Sequence, residues 1–440
     1  MRITIFSHYF PPEGNAPASR TFEHARQWVE AGHEVTVVTC VPNVPTGIAY
    51  AGYRNHLWPQ RESRHGIEVV RVWTYLSPNS GTLPRIGNYV SYMLSAVLAF
   101  MFFVRRPNVI VATSPQFFCG WAGILAGWLK WTPTVLEIRD IWPESIMAVG
   151  AMHRGWTIRF VEWLERWMYR AASHIVTVGK GYRDNIQTKV PAATRISVIT
   201  NGVDGRLFAP APVSECFRRR FGLGDRFVCA YVGTLGMAHG LDVVIRAAEL
   251  LRQRRRDDIV FLLVGDGAHR ARLERQVEQA ELGSYVRFAG LLPKADMPMA
   301  LTSSDALLIH LRKCELFTTV IPSKLFESMA VQRPIILGVR GEAAEILHDF
   351  NAGLQMEPEN EHDLASAVVR LAEDPEYAAQ LGINGRVAVM EKYRRDVLAA
   401  EYLSLLCEVA LRSACEDSVA TSPSRLVAEK TAERTLAKQK

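Results

Sequence analysis

The sequence predicts an α/β protein built from two tandem, Rossmann-like doubly wound domains that face a cleft. Three observations carry this. Short β-branched runs alternate with helix-sized segments along most of the chain. The alternation restarts near residue 200, after a Gly/Pro-rich stretch. The 440 residues suit two or three domains.

The elements follow in order. RITIF, from Arg2, reads as a short buried strand, and a Pro/Gly-rich loop follows it. Arg20 to Ala31 has helical period, Gly32 is a helix stop, and EVTVVT is a second strand. Such a βαβ unit needs a parallel sheet with a right-handed crossover. GIEVVRVWT, NVIVATS, TVLEIRD and HIVTVG continue the series. After RISVITNGVDGRLFAPAPVSE the second series runs FVCAYVGTLG, IVFLLVGDG, VRFAGLL, DALLIHL and RPIILGV. The expected divisions are 1–200, 201–405 with the last helix packing back on the first domain, and 406–440 as a helix end and a poorly ordered polar tail, from about Ser418. In such sheets ligands bind at the carboxyl ends of strands, so the cleft between the domains is the expected site.

Composition is that of an ordinary globular chain, with 48% apolar and 22% charged residues. A net charge of +6 suggests anionic partners. The seven cysteines show no CxxC pair, and Met1 leads straight into a strand-like run. Together these point to a reducing cytoplasm.

Two segments raise the question of a membrane. Tyr89 to Val104 is apolar for 16 residues and ends in Arg105-Arg106, which is short of the roughly 20 that a spanning helix needs. Trp156, Phe160, Trp163 and Trp167 recur on one helical face, with Arg159, Arg166 and Arg170 elsewhere on the surface. Both segments suit an interfacial contact, and both equally suit helices that cover the first sheet.

Several chemistries are excluded by missing motifs. The chain has no GxxxxGK[ST] loop, no GxSxG elbow, no Asp-x-Asp pair and no His/Cys/acid cluster at metal spacing. Glycine-rich strand-to-helix turns occur in both halves, around Gly14 and Asn15 and at Gly233, Gly236 and Gly240. Gly265 and Gly267 lie in a third turn, which lacks the last glycine of the dinucleotide fingerprint. Such turns allow close backbone approach to a phosphate, and they also serve as plain tight turns. In EIRDIWPES, Arg139, Asp140 and Glu144 cluster where a strand empties into the crevice. Asp140 is a candidate proton acceptor or sugar-hydroxyl ligand, against a reading as a solvated ion pair beside a turn. In IPSKLFESMA, Lys324 and Glu327 share a helix face at i,i+3.

YFPPEGNAPA, HEVTVVT, EIRDIWPES, NGVD, VGDG, PSKLFESMA and GEAAEI, in this order, resemble glycosyltransferase family 4, and most closely its WbuB/WcaI-like branch of bacterial surface-polysaccharide enzymes. The resemblance runs to about residue 405. It implies the GT-B fold, with an acceptor-binding N-terminal domain and a nucleotide-sugar-binding C-terminal domain. It further implies retention of anomeric configuration, no metal and no cofactor beyond the donor substrate itself. Glu327 matches the second glutamate of the family's Glu-x7-Glu motif, which holds the ribose, and the first glutamate falls on Thr319. The usual diphosphate-binding arginine and lysine fall on Thr234 and His239. Lys324 is then the substitute cation for the diphosphate, with Arg312 or Lys313 as helpers. The implied donor set is Gly233, Thr234, Gly236, His239, Gly240, Gly265, Gly267, Leu291, Thr319, Ser323, Lys324 and Glu327, with catalytic roles for Lys324 and Asp140. Gly14, Asn15, Arg139 and Glu144 are implied on the acceptor side.

The resulting expectation is a retaining glycosyltransferase that moves a sugar from a UDP-linked donor to a saccharide acceptor on a polyprenyl diphosphate. It would build O-antigen, capsule or exopolysaccharide, peripherally bound to the anionic inner face of the cytoplasmic membrane, with no nucleic-acid partner. The alternatives are a nucleotide- or sugar-binding protein without chemistry, and a GT-B UDP-sugar epimerase.

Overall fold

Strand β1 (Arg2–Phe6), helix α1 (Ala16–Glu30) and strand β2 (Glu34–Cys40) make the expected first crossover. The structure, a computed structural model, describes residues 1–44, 46–78, 82–114, 116–144, 155–191 and 195–420. Helix α1 begins four residues before the expected Arg20. The reason is local: the Asn15 side chain accepts from the Ala18 N–H at 2.9 Å, and a proline occupies the first turn.

The first domain continues with β3 (Gln60–Arg64), β4 (Ile67–Val72), α2 (Thr82–Phe103), β5 (Val109–Thr113), α3 (Phe117–Lys130), β6 (Thr134–Ile138), α4 (Trp156–Ala171), β7 (His174–Thr177), α5 (Lys180–Lys189) and β8 (Ile196–Val198). Its eight strands run in the order β3-β4-β2-β1-β5-β6-β7-β8. All pairs are parallel except β3 with β4. Strand β3 escaped the sequence reading because QRESR has no β-branched residue. It is an antiparallel edge, where charged side chains are tolerated and guard against further pairing.

The second domain holds α6 (Glu215–Arg220), β9 (Phe227–Val232), α7 (Asp242–Gln253), β10 (Ile259–Val264), α8 (Arg270–Gln279), β11 (Val286–Gly290), α9 (Met297–Thr302), β12 (Ala306–His310), α10 (Lys324–Ala330), β13 (Ile335–Gly338), α11 (Glu342–Asp349), β14 (Gly353–Gln355), α12 (Glu361–Glu373) and α13 (Pro375–Lys392). Its six parallel strands run β11-β10-β9-β12-β13-β14. Helix α14 (Arg395–Ala420) returns to the first domain. Its Leu398, Tyr402, Leu406 and Val409 join the core of Ile3, Ile5 and Trp28, and the Trp28 indole donates to the Ala399 carbonyl at 3.0 Å. The tail expected to be poorly ordered lies mostly outside the described residues.

The chain passes between domains twice, and the two crossings are bonded together. The Val203 N–H donates to Tyr393 O and the Arg395 N–H to Val203 O. The buried Arg20 guanidinium holds the segment that leads into the first crossing, pairing with Glu137 at 2.8 Å and donating to Thr200 O and Ile199 O.

Helix α2 lies along the first sheet. Tyr92, Ala96, Ala99 and Phe100 are buried, and the Tyr92 hydroxyl donates to Val38 O. The apolar part of this helix, Leu83–Phe103, is longer than the sequence count and is long enough to cross a membrane by length and composition. Yet one face is committed to the core, while Leu94, Leu98 and Phe102 stand exposed on the other.

Candidate functional site

Strand order reverses between β1 and β5 in one sheet and between β9 and β12 in the other. The loops that leave these four strands diverge, and each reversal leaves a crevice at the carboxyl ends.

In the second domain the crevice is floored by Tyr231 and Gly233, at the end of β9. Lys324, the first residue of α10, lays its ammonium 4.0 Å from the centre of the Tyr231 ring. A methyl group placed on Gly233 would come within 2.5 Å of that nitrogen, so the lysine needs glycine there. The Lys324 Nζ is buried and has no hydrogen-bond partner among the described residues. Burial lowers its pKa to about 8, against the opposing pull of the Glu327 charge. Among the described residues no anion is hydrogen-bonded to this ammonium.

His239 lies close by, its ring 5.8 Å from that of Tyr231. Burial, reinforced by the Lys324 charge, lowers its pKa to about 3, so it is neutral at physiological pH. Its backbone is held by His310. The His310 Nδ1 lies 2.7 Å from His239 O, and its Nε2 accepts from the Glu359 N–H at 2.9 Å. A carbonyl cannot donate, so the proton of this buried, neutral imidazole sits on Nδ1. His239 and Gly240 lie just ahead of the helix, not at its start. These residues belong to a 3₁₀ turn, and α7 begins at Asp242. The carboxylate of Asp242 is paired to Arg272 at 2.6 Å. No helix N-terminus opens at His239 itself.

Gly265 and Gly267 serve packing between loops. Both have positive φ, and a side chain on either would strike the carbonyl of Gly233 or Leu235, at 1.9 and 2.5 Å. They press the β10–α8 loop against the β9–α7 loop that carries Gly233, Thr234 and Gly236. Leu291 stands in solvent, 72% exposed. Ser323 precedes α10 and its hydroxyl caps nothing. Thr319 donates to Leu316 O at 2.8 Å and meets Gly181 of the first domain, so it lies at the domain interface. Arg312 packs over Gly240, while Lys313 is paired to Glu357 at 2.9 Å.

On the facing side, the Arg139 N–H donates to the Ser114 hydroxyl at 2.8 Å. The Arg139 side chain is not the solvated partner that one reading allowed. Its Nε and Nη1 are buried without hydrogen-bond partners among the described residues, and burial lowers its pKa to about 10. Asp140 is half-buried, and its charge raises the pKa of the nearby Tyr182 hydroxyl, after burial the largest cause. Glu144 is drawn off into a separate cluster. Lys189 bridges it, at 2.5 Å, to the buried Glu165, at 2.9 Å. Asn15 caps α1, and Gly14 has open space around it. Beside this loop lies a hollow of about 610 Å³ lined by Pro12, Tyr50, Tyr53 and their neighbours. Among the described residues no His/Cys/Asp/Glu group could hold a metal ion.

The structure thus joins Gly233, His239, Lys324 and Glu327, and it draws Glu144 away to Lys189 and Glu165. Sequence reasoning missed Tyr231 and His310, which are ordinary strand residues in sequence. It also missed Glu342, whose contacts lie in the other domain.

Residues 15–202 match the family model of the glycosyl transferase 4-like domain, and residues 214–388 match that of glycosyl transferases group 1. The chain is 25% identical to the colanic acid biosynthesis glycosyl transferase WcaI of Escherichia coli, over 84% of this chain and 91% of that one. It is 26% identical to a GDP-mannose-dependent alpha-mannosyltransferase of Mycolicibacterium smegmatis, over 94% of this chain and all of that one. Among solved structures, Anabaena HepE in complex with UDP and glucose superposes with a TM-score of 0.68 at 16% identity, covering 92% of this chain and 99% of that one.

Proposed function

This chain belongs to the GT-B glycosyltransferase family, and from that premise we propose that it is a retaining enzyme that takes a sugar from UDP and passes it to a lipid-linked saccharide of a bacterial surface polysaccharide. The observation that carries the donor side is the Lys324 ammonium. It is buried, lacks a hydrogen-bond partner among the described residues, and is held by Tyr231 against Gly233 at the mouth of β9. A diphosphate seated there supplies a hydrogen-bonded anion. As the glycosidic bond breaks, negative charge grows on the leaving phosphate, and a fixed, desolvated cation stabilises that charge strongly. Glu327, one turn along α10, accepts the ribose hydroxyls. Neutral His239 adds a hydrogen bond without competing for the anion. In this reading the Lys324 ammonium, and not a metal ion, offsets the negative charge of the diphosphate.

On the acceptor side, Asp140 orients the attacking hydroxyl, and the hollow beside Pro12, Tyr50 and Tyr53 takes the saccharide on aromatic faces. The lipid part follows the apolar surface. Phe102 is 71% exposed, and Trp156, Phe160, Trp163 and Trp167 all stand out from α4. With Arg105, Arg106 and Arg159 nearby in sequence, this suits an anionic membrane interface. That surface docks the protein peripherally on the inner face of the cytoplasmic membrane.

The donor is tested by thermal shift with UDP-, GDP- and dTDP-sugars. A ligand at 100 times its Kd stabilises by about 2.7 kcal/mol. A shift confined to UDP compounds is the expected result. A shift confined to GDP compounds would replace the nucleotide assignment.

A further inference from the structure

Helix α5 begins with Gly179 as its N-cap residue, and glycine has no side chain to accept from the first N–H groups. Those groups are nevertheless satisfied from the other domain. The Glu342 carboxylate accepts from the Lys180 N–H at 2.8 Å and from the Gly181 N–H at 3.1 Å, across 162 and 161 residues of sequence. Glu342 is itself the first residue of α11, so its charge lies between two helix N-termini, each of which favours an anion.

The fit is close on both sides. A methyl group on Gly179 would lie 2.8 Å from Glu342 Oε2, and one on Gly181 would lie 2.7 Å from Thr319 Cβ. A larger residue at Gly181 would strike Thr319 and hold the domains apart, while one at Gly179 would push the Glu342 carboxylate aside. The next residue along, Tyr182, is buried and senses both sides of the cleft. Burial raises its hydroxyl pKa, and the charges of Asp140 and Glu342 raise it further, while Arg139 opposes them. The α5 start therefore connects the second domain to the Arg139–Asp140 segment.

We propose that Glu342 is a positioning residue: the second domain supplies the missing cap of α5, and that contact sets the distance between the donor site at Lys324 and the acceptor-side Asp140. Glu342 is not asked to touch either substrate. With the contact made, the domains are held at one separation and the α5 N–H groups are satisfied. With it broken, those N–H groups turn to water and Tyr182 loses its fixed neighbour. The kinetic consequence rests on the glycosyltransfer reading given above, whereas the contact itself does not.

Full-length protein carries the test, with hydrogen–deuterium exchange read at the α5 start, UDP titration and steady-state kinetics. Glu342→Ala is expected to speed exchange at Lys180 and Gly181 by roughly two- to thirtyfold, the range of an N-cap worth about 0.5–2 kcal/mol at 1.4 kcal/mol per factor of ten. It is expected to lower kcat while leaving UDP affinity unchanged, with Glu342→Gln, which keeps one acceptor oxygen, lying between. Lys180→Pro is the second variant. Proline is well tolerated at a first helical position, and the change deletes the Lys180 donor while its ring carbon, set where the N–H pointed, displaces the Glu342 carboxylate, so the contact is broken with Glu342 itself retained. It is expected to reproduce the fall in kcat, even if Glu342→Ala fails to fold. Unchanged exchange in Glu342→Ala overturns the proposal, as does faster exchange with wild-type kcat. Lost UDP affinity would place Glu342 on the donor instead. A wild-type protein with no transfer to any acceptor would count against the glycosyltransfer reading alone, because the exchange result still decides the contact.

Discussion

Lys324 makes the proposed donor site testable through pH. Its folded pKa of about 8 lies below the ordinary lysine value of 10.5, so the folded protein releases this proton before the unfolded chain does. Burial of the charge therefore destabilises the unliganded fold below pH 8, and that penalty fades as pH rises from about 8 towards 10.5. A bound diphosphate reverses the balance by favouring the charged form. If only the charged form binds UDP, about nine-tenths of the protein is competent at pH 7 and about one-tenth at pH 9. Affinity should then fall about tenfold between these values, or about 1.4 kcal/mol. Binding at pH 9 should also take up close to one proton. His239 adds nothing to this slope, since its pKa of about 3 keeps it neutral across the range.

Calorimetric titration of UDP at pH 7 and pH 9, in two buffers of different ionisation heat, reads both quantities. Lys324→Met keeps an unbranched side chain one atom shorter and removes its charge. That variant should bind UDP more weakly at pH 7 and show no slope to pH 9. Its unliganded form should melt higher at neutral pH, because an uncompensated buried charge has gone. Glu327→Ala should differ in kind, losing roughly 1.5–3 kcal/mol of UDP affinity and retaining a pH slope, moved to lower pH because the Glu327 charge that raises the Lys324 pKa has gone. Equal wild-type affinity at pH 7 and pH 9, or a slope that survives in Lys324→Met, would refute the assignment of Lys324 to the diphosphate.

Two further outcomes are expected. Asp140→Asn should leave UDP affinity intact and cut turnover by about a hundredfold, the scale of lost general acid–base assistance; steady-state rates close to wild type would return Asp140 to a structural role. Co-sedimentation with anionic vesicles should weaken with added salt and fall sharply in the Phe102→Ser, Trp163→Ser double variant, and an unmodified protein that stays wholly in the supernatant at low salt would remove the membrane from the picture.

Two sheets of parallel strands were legible because a strand buried on both faces must be a short apolar run, and every crossover back to a parallel neighbour needs a helix-sized segment. That pattern is local and needs no partner to be read. Lys324 and Glu327 were legible as a pair for the same reason, since the helical period alone puts them on one face. What the charge of Lys324 does was not legible. Its pKa depends on Tyr231 and Gly233, far upstream in the chain and brought beneath it only when β9 and β12 become neighbours. The same holds for Glu144, which reads as a cleft carboxylate beside Asp140 until α4 and α5 present Glu165 and Lys189 to it. Glu342 shows the limit most clearly. In sequence it is one glutamate at the start of a helix, where carboxylates are common. In the folded chain its acceptor oxygens meet two N–H groups from the other domain, left open because Gly179 has no side chain of its own to offer them. Periodicity fixes which residues share a face, but burial and hydrogen-bond satisfaction are set by whatever the opposite surface brings, and only the folded chain chooses that surface.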